Sequence, residues 1–258
     1  MTVSAKKSYG QHFLADRNLL GVIGRLAELE QADAVLEIGP GHGVLTSYLA
    51  DRVAFVHAVE IDRGLEPRLA EHLGLRPNVR VRFGDALRED LAALEPTPGK
   101  LVANLPYNIA TPLIAESLTA LPAIDLWCVM LQREVADRLF ARPGTKAYGS
   151  VSVLVQLATR RTGFHAVGRA AFVPPPNVDS ALVAFRRVPL PVDFGRIKRV
   201  VEGSFSHRRK TLSNALQLSG VADRERAADA LHAIGRPGNS RAEALEPAEF
   251  AALTAALR

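Results

Sequence analysis

The feature that most constrains the fold is an apolar run leading into a glycine-rich turn, Ala34 to Gly43, with the sequence Ala-Val-Leu-Glu-Ile-Gly-Pro-Gly-His-Gly. The apolar residues up to Ile38 predict a buried strand, and the apolar run after the turn predicts a helix. Gly39, Gly41 and Gly43 permit a tight turn and the close approach of a ligand to the main chain. Many kinds of nucleotide-binding enzyme share this unit, so the glycines predict an α/β fold without identifying the ligand.

Two further strands are predicted, each of which ends near an acid. Phe55 to Ile61 contains Glu60, 21 residues after Gly39, where a carboxylate can accept both hydroxyls of a ribose. Val79 to Phe83 precedes Asp85, which suits the amino group of an adenine ring. An aspartate at a strand exit is also ordinary turn chemistry, so that alternative stays open for Asp85.

A fourth strand is predicted at Leu101 to Tyr107, Leu-Val-Ala-Asn-Leu-Pro-Tyr. Pro106 has no N–H for a ladder, so the strand must stop there and leave Asn104 and Tyr107 at its carboxyl end. An amide oxygen and nearby main-chain carbonyls can accept hydrogen bonds from a planar amine, and a tyrosine ring stacks on the ring that carries it. An ordinary strand-to-turn transition is the alternative. Because ligands bind at the carboxyl edge of open α/β sheets, the four strand ends predict one crevice.

Composition limits the classes of protein. With 258 residues, 48% of them hydrophobic and 23% charged, the chain is typical of a globular protein of one or two domains. No apolar run reaches the roughly 18 residues of a membrane span, and the first 20 residues lack a signal-peptide core, so we expect a cytoplasmic protein with no membrane partner. The single cysteine, Cys128, excludes an internal disulfide and a cysteine-rich zinc site. We expect no metal, and we expect a monomer.

The positive charge is concentrated in one segment. Between Arg160 and Lys210 there are 11 Lys or Arg against 3 Asp or Glu, a net charge of +8, whereas the whole chain carries +5. Such a segment suggests a nucleic acid partner, although a basic solvated surface is the alternative. Its densest part, Arg208-Arg209-Lys210, is predicted at or near a helix start, where positive charge opposes the helix dipole.

A domain boundary is predicted at Pro189-Leu-Pro191, because only helical patterns follow it. We therefore expect domains at residues 1–188 and 189–258. Before the boundary, Arg160 to Arg169 and Ser180 to Arg187 are predicted to pair as a terminal hairpin. The proline-rich link between them begins at Phe172, which is predicted either to be held out of regular pairing and to present its ring or to anchor the core.

With these residues assembled, the sequence resembles the ribosomal RNA adenine dimethyltransferases, specifically the KsgA/Dim1 family that acts on small-subunit ribosomal RNA. The resemblance spans nearly the whole chain and rests on several motifs in order. These are Gly10-Gln-His-Phe-Leu14, Glu37-Ile-Gly-Pro-Gly41, Gly84-Asp-Ala86, Asn104-Leu-Pro-Tyr-Asn-Ile-Ala-Thr-Pro112, Leu131-Gln-Arg-Glu-Val135, Lys146-Ala-Tyr-Gly149, Phe172-Val-Pro-Pro-Pro-Asn-Val-Asp-Ser180 and Arg208-Arg-Lys-Thr211.

The resemblance implies a Rossmann-like class I S-adenosylmethionine methyltransferase fold, an α/β fold with a seven-stranded mixed sheet, and a small all-helical C-terminal domain. It implies a catalytic set and a cofactor-binding set, with Asn104 in both. The catalytic set is Asn104, Leu105, Pro106, Tyr107 and Phe172, in which Tyr107 and Phe172 sandwich the target adenine. The cofactor-binding set is His12, Leu14, Gly39, Gly41, Glu60, Ile61, Asp85, Ala86 and Asn104. Arg208, Arg209 and Lys210 would bind RNA. The family usually has Asn where this chain has His12.

The activity implied is dimethylation of the exocyclic amines of two adjacent adenosines in a loop near the 3' end of 16S ribosomal RNA. S-adenosyl-L-methionine would be the co-substrate, and a pre-30S particle the partner. Three alternatives stay open: an erythromycin-resistance-type methyltransferase of 23S RNA, a nicotinamide-dependent oxidoreductase that uses the same glycine loop and acid, and a ribosome-assembly factor whose methylation is incidental or whose site is dead.

Overall fold

The computed structural model describes residues 12–257 and divides the chain into two compact units. The first unit consists of the chain up to Ala136 together with Arg161–Arg187. The second consists of Asp137–Arg160 and the chain from Val188 onward. The chain crosses between the units three times, and the third crossing, between Arg187 and Val188, lies one residue from the boundary expected after residue 188. The sequence did not predict that Asp137–Arg160 is grouped with the C-terminal helices, because an amphipathic helix looks the same whichever unit buries its apolar face.

The first unit is built on a seven-stranded sheet with the order β4-β3-β2-β5-β6-β9-β7. Its strands are β2 (Ala34–Ile38), β3 (Phe55–Glu60), β4 (Val79–Phe83), β5 (Lys100–Asn104), β6 (Leu126–Gln132), β7 (Thr159–Val167) and β9 (Ser180–Arg187). Strands β2 to β6 run parallel, and β9 lies antiparallel to β6. The expected seven-stranded mixed sheet is therefore confirmed, and β7 and β9, which were predicted as a hairpin, are neighbours at one end of it.

Helices connect these strands: α1 (Asn18–Leu26), α2 (Val44–Ala50), α3 (Glu66–Leu73), α4 (Ala110–Ala120) and α5 (Arg133–Leu139). The apolar side of α1 is buried through Leu19, Leu20 and Ile23, in one cluster with residues of α2 and of the sheet. Strand β6 is buried along almost its whole length. Parallel strands covered on both faces need such continuous apolar runs, which is why the sequence identified them readily.

One small sheet was not predicted. Strand β1 (Phe13–Leu14) pairs antiparallel with β8 (Phe172–Val173), so that Leu14 faces Phe172. The expectation that Phe172 is held out of regular pairing is wrong. Its side chain is 1% exposed and belongs to the main apolar cluster, so the core-anchor alternative describes its position. Two-residue strands 160 positions apart leave no periodic pattern in a sequence.

The second unit contains α6 (Ser150–Ala158), α7 (Phe194–Phe205), α8 (Leu212–Leu218), α9 (Arg224–Ala233) and α10 (Pro247–Ala256). Its helical C-terminal region is as expected. Arg208, Arg209 and Lys210 lie in the turn between α7 and α8, directly before the N-cap of α8 at Thr211 and so near a helix start, as predicted. Because the turn also follows the C-terminal end of α7, where positive charge is favourable, the argument from an opposed helix dipole does not hold.

In the described part of the chain, no helix is both long and apolar enough to cross a membrane.

Candidate active site

The cleft lies where the parallel strands end, between β2 and β5, from which the chain continues to β3 on one side of the sheet and to β6 on the other. Hydrogen bonds continue the ladders past the strand ends: Gly39 N–H donates to the carbonyl of Val59 at 2.9 Å, and Gly84 N–H donates to the carbonyl of Glu60 at 2.9 Å. The ends of β2, β3 and β4 are therefore held side by side. They open, together with the end of β5, into a cleft of about 330 Å³.

The glycine loop forms one wall, and its conformation requires glycine. Gly39, Gly41 and Gly43 have φ angles of 73°, 59° and 80°, in the left-handed region that L side chains rarely adopt. A Cβ at Gly39 would also lie 3.1 Å from Cγ of Pro106, and one at Gly41 would lie 2.9 Å from the Phe13 ring. The loop thus presents bare main chain to the cleft.

The Glu60 carboxylate is fixed at the end of β3 by two main-chain donors. Oε2 accepts from Gly41 N–H at 3.1 Å, and Oε1 accepts from Asp62 N–H at 2.9 Å. Burial raises the pKa of Glu60, and the main-chain donors of Asp62 and Gly41 oppose that shift. Each oxygen retains a further lone pair, so the oriented carboxylate can accept from a diol at the cleft.

Asp85 follows β4 and is also held locally. Its Oδ1 accepts from Leu87 N–H at 3.0 Å, and its Oδ2 lies 3.5 Å from Nε of Arg88. Beside it, Ala86 is buried and Ile61 is 47% exposed. An acid flanked by two apolar side chains can pair with the amino group of a flat heterocycle while the apolar side chains cover the ring.

Glu37, the last polar residue of β2, was not among the predicted site residues. It lines the cleft, is 1% exposed, and burial raises its pKa to about 8. The nearby Glu60 carboxylate adds to that shift. Among residues 12–257, no hydrogen-bond partner reaches Glu37 Oε2 or Thr46 Oγ1. A buried polar group without a partner is costly, which suits a site completed by a ligand's donors.

The end of β5 is held by contacts from distant parts of the chain. Nδ2 of Asn104 donates to the main-chain carbonyl of His12 at 3.0 Å. The hydroxyl of Tyr107 shares a hydrogen bond of 2.7 Å with that of Ser180, at the start of β9. Burial raises the pKa of Tyr107, so its hydroxyl stays protonated at neutral pH. Since a carbonyl only accepts, the contact with His12 turns the amide nitrogen toward the arm and leaves Oδ1 as an acceptor.

The arm formed by residues 12–14 lies along the cleft. The His12 ring is tilted 31° to that of Tyr107, with centroids 5.6 Å apart. Phe13 stacks on His42 of the glycine loop, with centroids 3.8 Å apart. Leu14 is buried beside Phe172 through the β1–β8 pair. Neither Phe13 nor His42 was predicted, since an aromatic stack between residues so far apart leaves no spacing signal.

Most predicted site residues meet at the cleft. Its walls include all nine expected cofactor-binding residues and four of the five expected catalytic ones: His12, Leu14, Gly39, Gly41, Glu60, Ile61, Asp85, Ala86, Asn104, Leu105, Pro106 and Tyr107. The exception is Phe172, which is buried in the core. The basic run lies in the second unit, where Arg208 donates to the carbonyls of Lys146 at 2.7 Å and Tyr148 at 2.9 Å, while Arg209 and Lys210 are exposed.

The residues of the cleft fit S-adenosylmethionine. The fit is tested by three observations on this chain: main chain bared by glycines that a Cβ would block, an oriented carboxylate at Glu60, and an unpartnered buried oxygen of Glu37, which lines the cleft. S-adenosylmethionine is a nucleoside attached to an amino acid, so its hydroxyls and amines require groups that accept hydrogen bonds. Among residues 12–257, no group of three or more His, Cys, Asp or Glu side chains is placed to hold a metal ion.

Comparison with known families gives one match over nearly the whole chain. The model of the ribosomal RNA adenine dimethylase family matches residues 2–255. Ribosomal RNA small subunit methyltransferase A of Rubrobacter xylanophilus is 47% identical over 253 residues, which cover 98% of this chain and 95% of that protein. The protein of the same name from Ligilactobacillus salivarius is 44% identical, with 98% and 90% covered.

Solved structures agree with the sequence comparisons. A dimethyladenosine transferase from Plasmodium falciparum superimposes with a TM-score of 0.78 at 26% identity, covering 94% of this chain and 96% of that one. The 23S rRNA methyltransferase ErmE superimposes with a TM-score of 0.66 at 31% identity, covering 95% and 99%. The small-subunit methyltransferases are therefore more similar to this chain in sequence than ErmE is. The dimethyladenosine transferase is more similar to it in structure than ErmE is.

Proposed function

Because this chain belongs to the ribosomal RNA adenine dimethylase family, we propose that its cleft transfers methyl groups from S-adenosylmethionine to two adjacent adenosines near the 3' end of 16S ribosomal RNA. Membership makes it an S-adenosylmethionine-dependent adenine dimethyltransferase. The adjacent pair of targets, the residue roles and the pre-30S substrate are the parts that we propose. The observation that carries them is the placement of Asn104 and Tyr107 in the same cleft as the glycine loop, Glu60 and Asp85.

We assign the half of the cleft under β2, β3 and β4 to the cofactor. Main chain at Gly39 and Gly41 would contact its methionine part, Glu60 would accept from the ribose hydroxyls, and Asp85 would accept from the adenine amine. The two donors that already orient the Glu60 carboxylate support this role, because the acceptor geometry then exists before the ligand arrives.

We assign the end of β5 to the target base. Oδ1 of Asn104 and the main-chain carbonyl of Leu105 or Pro106 would accept from the exocyclic amine of adenine, while Tyr107 would stack on the ring. The amide orientation set by His12 and the tyrosine orientation set by Ser180 support these roles. A paired base is inaccessible to such a pocket, so the target is extruded or single-stranded, at an unstacking cost of a few kcal/mol.

Positioning is the main contribution of these residues. Bound S-adenosylmethionine supplies a methyl group that its sulfonium already activates. Orientation of two reactants can contribute about 7–11 kcal/mol, whereas a general base contributes about 10²–10⁴-fold in rate. Asn104 and the adjacent carbonyls would hold the amine nitrogen in line with the methyl group. Their redundancy would allow a second transfer, since a monomethylated amine has one hydrogen fewer to donate.

The large-subunit alternative is less well supported. ErmE is 31% identical to this chain, whereas relatives named as small-subunit methyltransferases are 43–47% identical over almost the full length. A nicotinamide-dependent oxidoreductase would share the glycine loop and acid but would not need the Asn104 to Tyr107 arrangement. The dead-site alternative is tested below with Asn104→Ala.

We further propose that exposed cations of the second unit, Arg209 and Lys210 among them, bind the phosphates of small-subunit RNA within a pre-30S particle. Between Val188 and Lys210 the second unit has 6 Lys or Arg against 2 Asp or Glu, and this excess of positive charge supports the proposal. Arg208 is given a different role, because its guanidinium donates to two main-chain carbonyls. An enzyme of assembling ribosomes would act in the cytoplasm, and we propose that it acts as a monomer.

The test is methylation of isolated ribosomal subunits that lack the modification. Small subunits incubated with the protein and labelled S-adenosylmethionine should gain label, and mapping should place N6,N6-dimethyladenosine at two adjacent positions near the 3' end. Label confined to large subunits would replace the proposal with the erythromycin-resistance-type activity. Calorimetry should detect binding of S-adenosylmethionine and none of NAD.

A further inference from the structure

The outer strand of the sheet, β7, carries an aromatic ring at the surface. Phe164 is 36% exposed, and Arg161 and His165 on the same strand are exposed as well. Strand β7 stands at one end of the sheet order, and among the described residues no strand pairs with its outer side. A single exposed apolar residue is ordinary on a protein surface, so Phe164 becomes informative only through its neighbours.

Two guanidinium groups lie beside this ring. Cζ of Arg133 is 5.0 Å from the ring centroid of Phe164, and Cζ of Arg161 is 5.9 Å from it. All three residues belong to the first unit. From residue 159 to residue 178 the sequence contains no Asp or Glu, and Glu134 is the acid adjacent to Arg133. With two guanidinium groups against one adjacent carboxylate, the surface around the ring is positive.

This surface begins at the edge of the sheet where the cleft lies. Arg133 directly follows Gln132, the last residue of β6, which pairs with Ser180. The Ser180 hydroxyl is the one that shares a hydrogen bond with Tyr107. Strands β5, β6, β9 and β7 are successive neighbours, so β7 lies three strand spacings, about 14 Å, from the strand that ends at the base half of the cleft. A strand of RNA that reaches the cleft can therefore also cross this surface.

We propose that Arg133, Arg161 and Phe164 form a second RNA-binding surface, on which a nucleotide near the target stacks its base while its phosphates contact the guanidinium groups. This inference rests on the proposed function and extends it from the target base to the strand that carries the base. Aromatic rings stack on any base, guanidinium planes can do the same, and guanidinium groups bind phosphate through charge-assisted hydrogen bonds. The surface fits a single-stranded segment and does not select its sequence.

Edge protection is the structural alternative. Charged residues on an outer strand hinder its pairing with a second sheet. That role needs charge on β7 but no exposed ring, and it does not need Arg133, which lies outside β7 at the start of α5. The two explanations differ when Arg161 is replaced. Loss of edge protection produces self-association, whereas loss of an RNA contact lowers the affinity for RNA.

The first experiment measures the dissociation constant of a short, fluorescently labelled single-stranded RNA by anisotropy. Phe164→Leu removes the ring and keeps an apolar side chain, whereas Phe164→Trp keeps a ring. Base–aromatic stacking predicts that Phe164→Leu raises the dissociation constant between about 5-fold and 150-fold. Phe164→Trp should stay close to wild type. Calorimetry of S-adenosylmethionine binding should give the wild-type value for both variants, which shows that the cleft is folded.

The salt dependence of the same binding tests the two arginines. Arg133→Ala and Arg161→Ala should each make the slope of log K against log salt concentration less steep by about 0.7, and Arg161→Lys should restore it. Arg25→Ala, at an exposed position of α1 in the same unit, is the control for the loss of one positive charge and should match wild type. On unmodified small subunits, KM should rise more than kcat falls, because none of these side chains touches the reacting atoms.

Photo-cross-linking locates the contact without turnover. Trypsin cleaves after Arg161 and Arg169, so a cross-link from 5-iodouridine in the RNA to Phe164 should appear on the peptide of residues 162–169. Unchanged RNA affinity in Phe164→Leu, or cross-links confined to other peptides, would overturn the proposal.

Two other outcomes would overturn it in favour of a different role. Self-association of Arg161→Ala with unchanged RNA affinity would assign the charge to edge protection. Weaker binding to small subunits with unchanged binding to free RNA would assign the surface to a ribosomal protein. Failure of wild type to methylate small subunits would instead refute the proposed function, and the measurements on free RNA would still test this surface.

Discussion

The two halves of the cleft are held together in different ways. In the cofactor half, Glu60 is oriented by main-chain donors 19 and 2 residues away, and Asp85 by one 2 residues away. In the base half, Asn104 is held by a residue 92 positions away and Tyr107 by one 73 positions away. The cofactor half is thus held by donors that are at most 19 residues away in the sequence. The base half depends on the arm and on β9 being in place.

This difference indicates how the two halves should respond to substitution. Groups oriented by segments that are near in the sequence are preorganised as soon as those segments fold, and each acts through its own contacts. Groups oriented by distant segments are coupled to those segments, so their substitutions should be non-additive. The largest expected effects lie at the residues that touch reacting atoms, and the smallest at those that only orient them.

The largest effect is expected for Asn104→Ala. Loss of the amide acceptor misaligns the amine, and a misplacement of about 1 Å costs about 100-fold in rate. Single-turnover methylation of small subunits should therefore fall by about 100-fold or more, with subunit affinity within about 3-fold of wild type. Asn239→Ala, at an exposed position of the second unit, is the control and should match wild type. Preserved turnover in Asn104→Ala would remove Asn104 from the mechanism.

In the cofactor half, Glu60→Gln should weaken S-adenosylmethionine binding. One carboxylate oxygen becomes an NH₂ group that faces a main-chain N–H, because Gly41 and Asp62 donate to the two oxygens. A hydrogen bond to a charged group contributes about 1.5–3 kcal/mol, so the dissociation constant should rise between about 10-fold and 150-fold. Calorimetry gives this value directly. An unchanged constant would mean that Glu60 only braces the glycine loop.

Glu37 gives a prediction for stability against pH. Its pKa is about 8 in the folded protein and near 4.5 when unfolded, so between these values the folded state binds more protons. The free energy of unfolding should therefore fall as pH rises from about 4.5 to about 8, by at most about 1.4 kcal/mol per pH unit from this group. Glu37→Gln should reduce the slope in chemical denaturation, whereas Glu71→Gln, exposed on α3, should not.

In the second unit, Arg209→Ala and Lys210→Ala should each weaken RNA binding a few-fold. The slope of log K against log salt concentration is negative, and each lost phosphate contact should make it less steep by about 0.7 for single-stranded RNA. Arg208→Ala should instead lower the melting temperature, because the guanidinium joins the turn to the carbonyls of Lys146 and Tyr148. A salt slope unchanged by the first two substitutions would place the phosphate contacts elsewhere.

The smallest effect is expected for Ser180→Ala, which removes the hydrogen-bond partner of the Tyr107 hydroxyl. Tyr107→Phe removes the same bond from the other side, so each variant should lose a few-fold in kcat/KM for the small subunit. If the hydroxyls act as a pair, kcat/KM of the double variant should be no lower than that of the less active single variant. Additive losses would show that the two hydroxyls contribute separately.

The same difference explains what could be predicted from the sequence. Strands β2, β3 and β5 are largely apolar runs that end at a glycine, an acid or an amide, and each of these endings lies at the cleft. The positions of His12 and Phe172 could not be predicted, because they depend on the β1–β8 pair of two-residue strands. Glu37 lies inside an apolar run, where only burial, visible in the structure, distinguishes it from a strand residue that faces solvent.

The central claim is that one cleft holds both the methyl donor and the target base, with Asn104 between them. A crystal structure with S-adenosylhomocysteine tests it most directly. We predict the ribose at Glu60, the adenine beside Asp85 and the thioether sulfur facing Asn104 and Tyr107. A nucleoside bound outside this cleft, or a sulfur directed away from both side chains, would contradict the account.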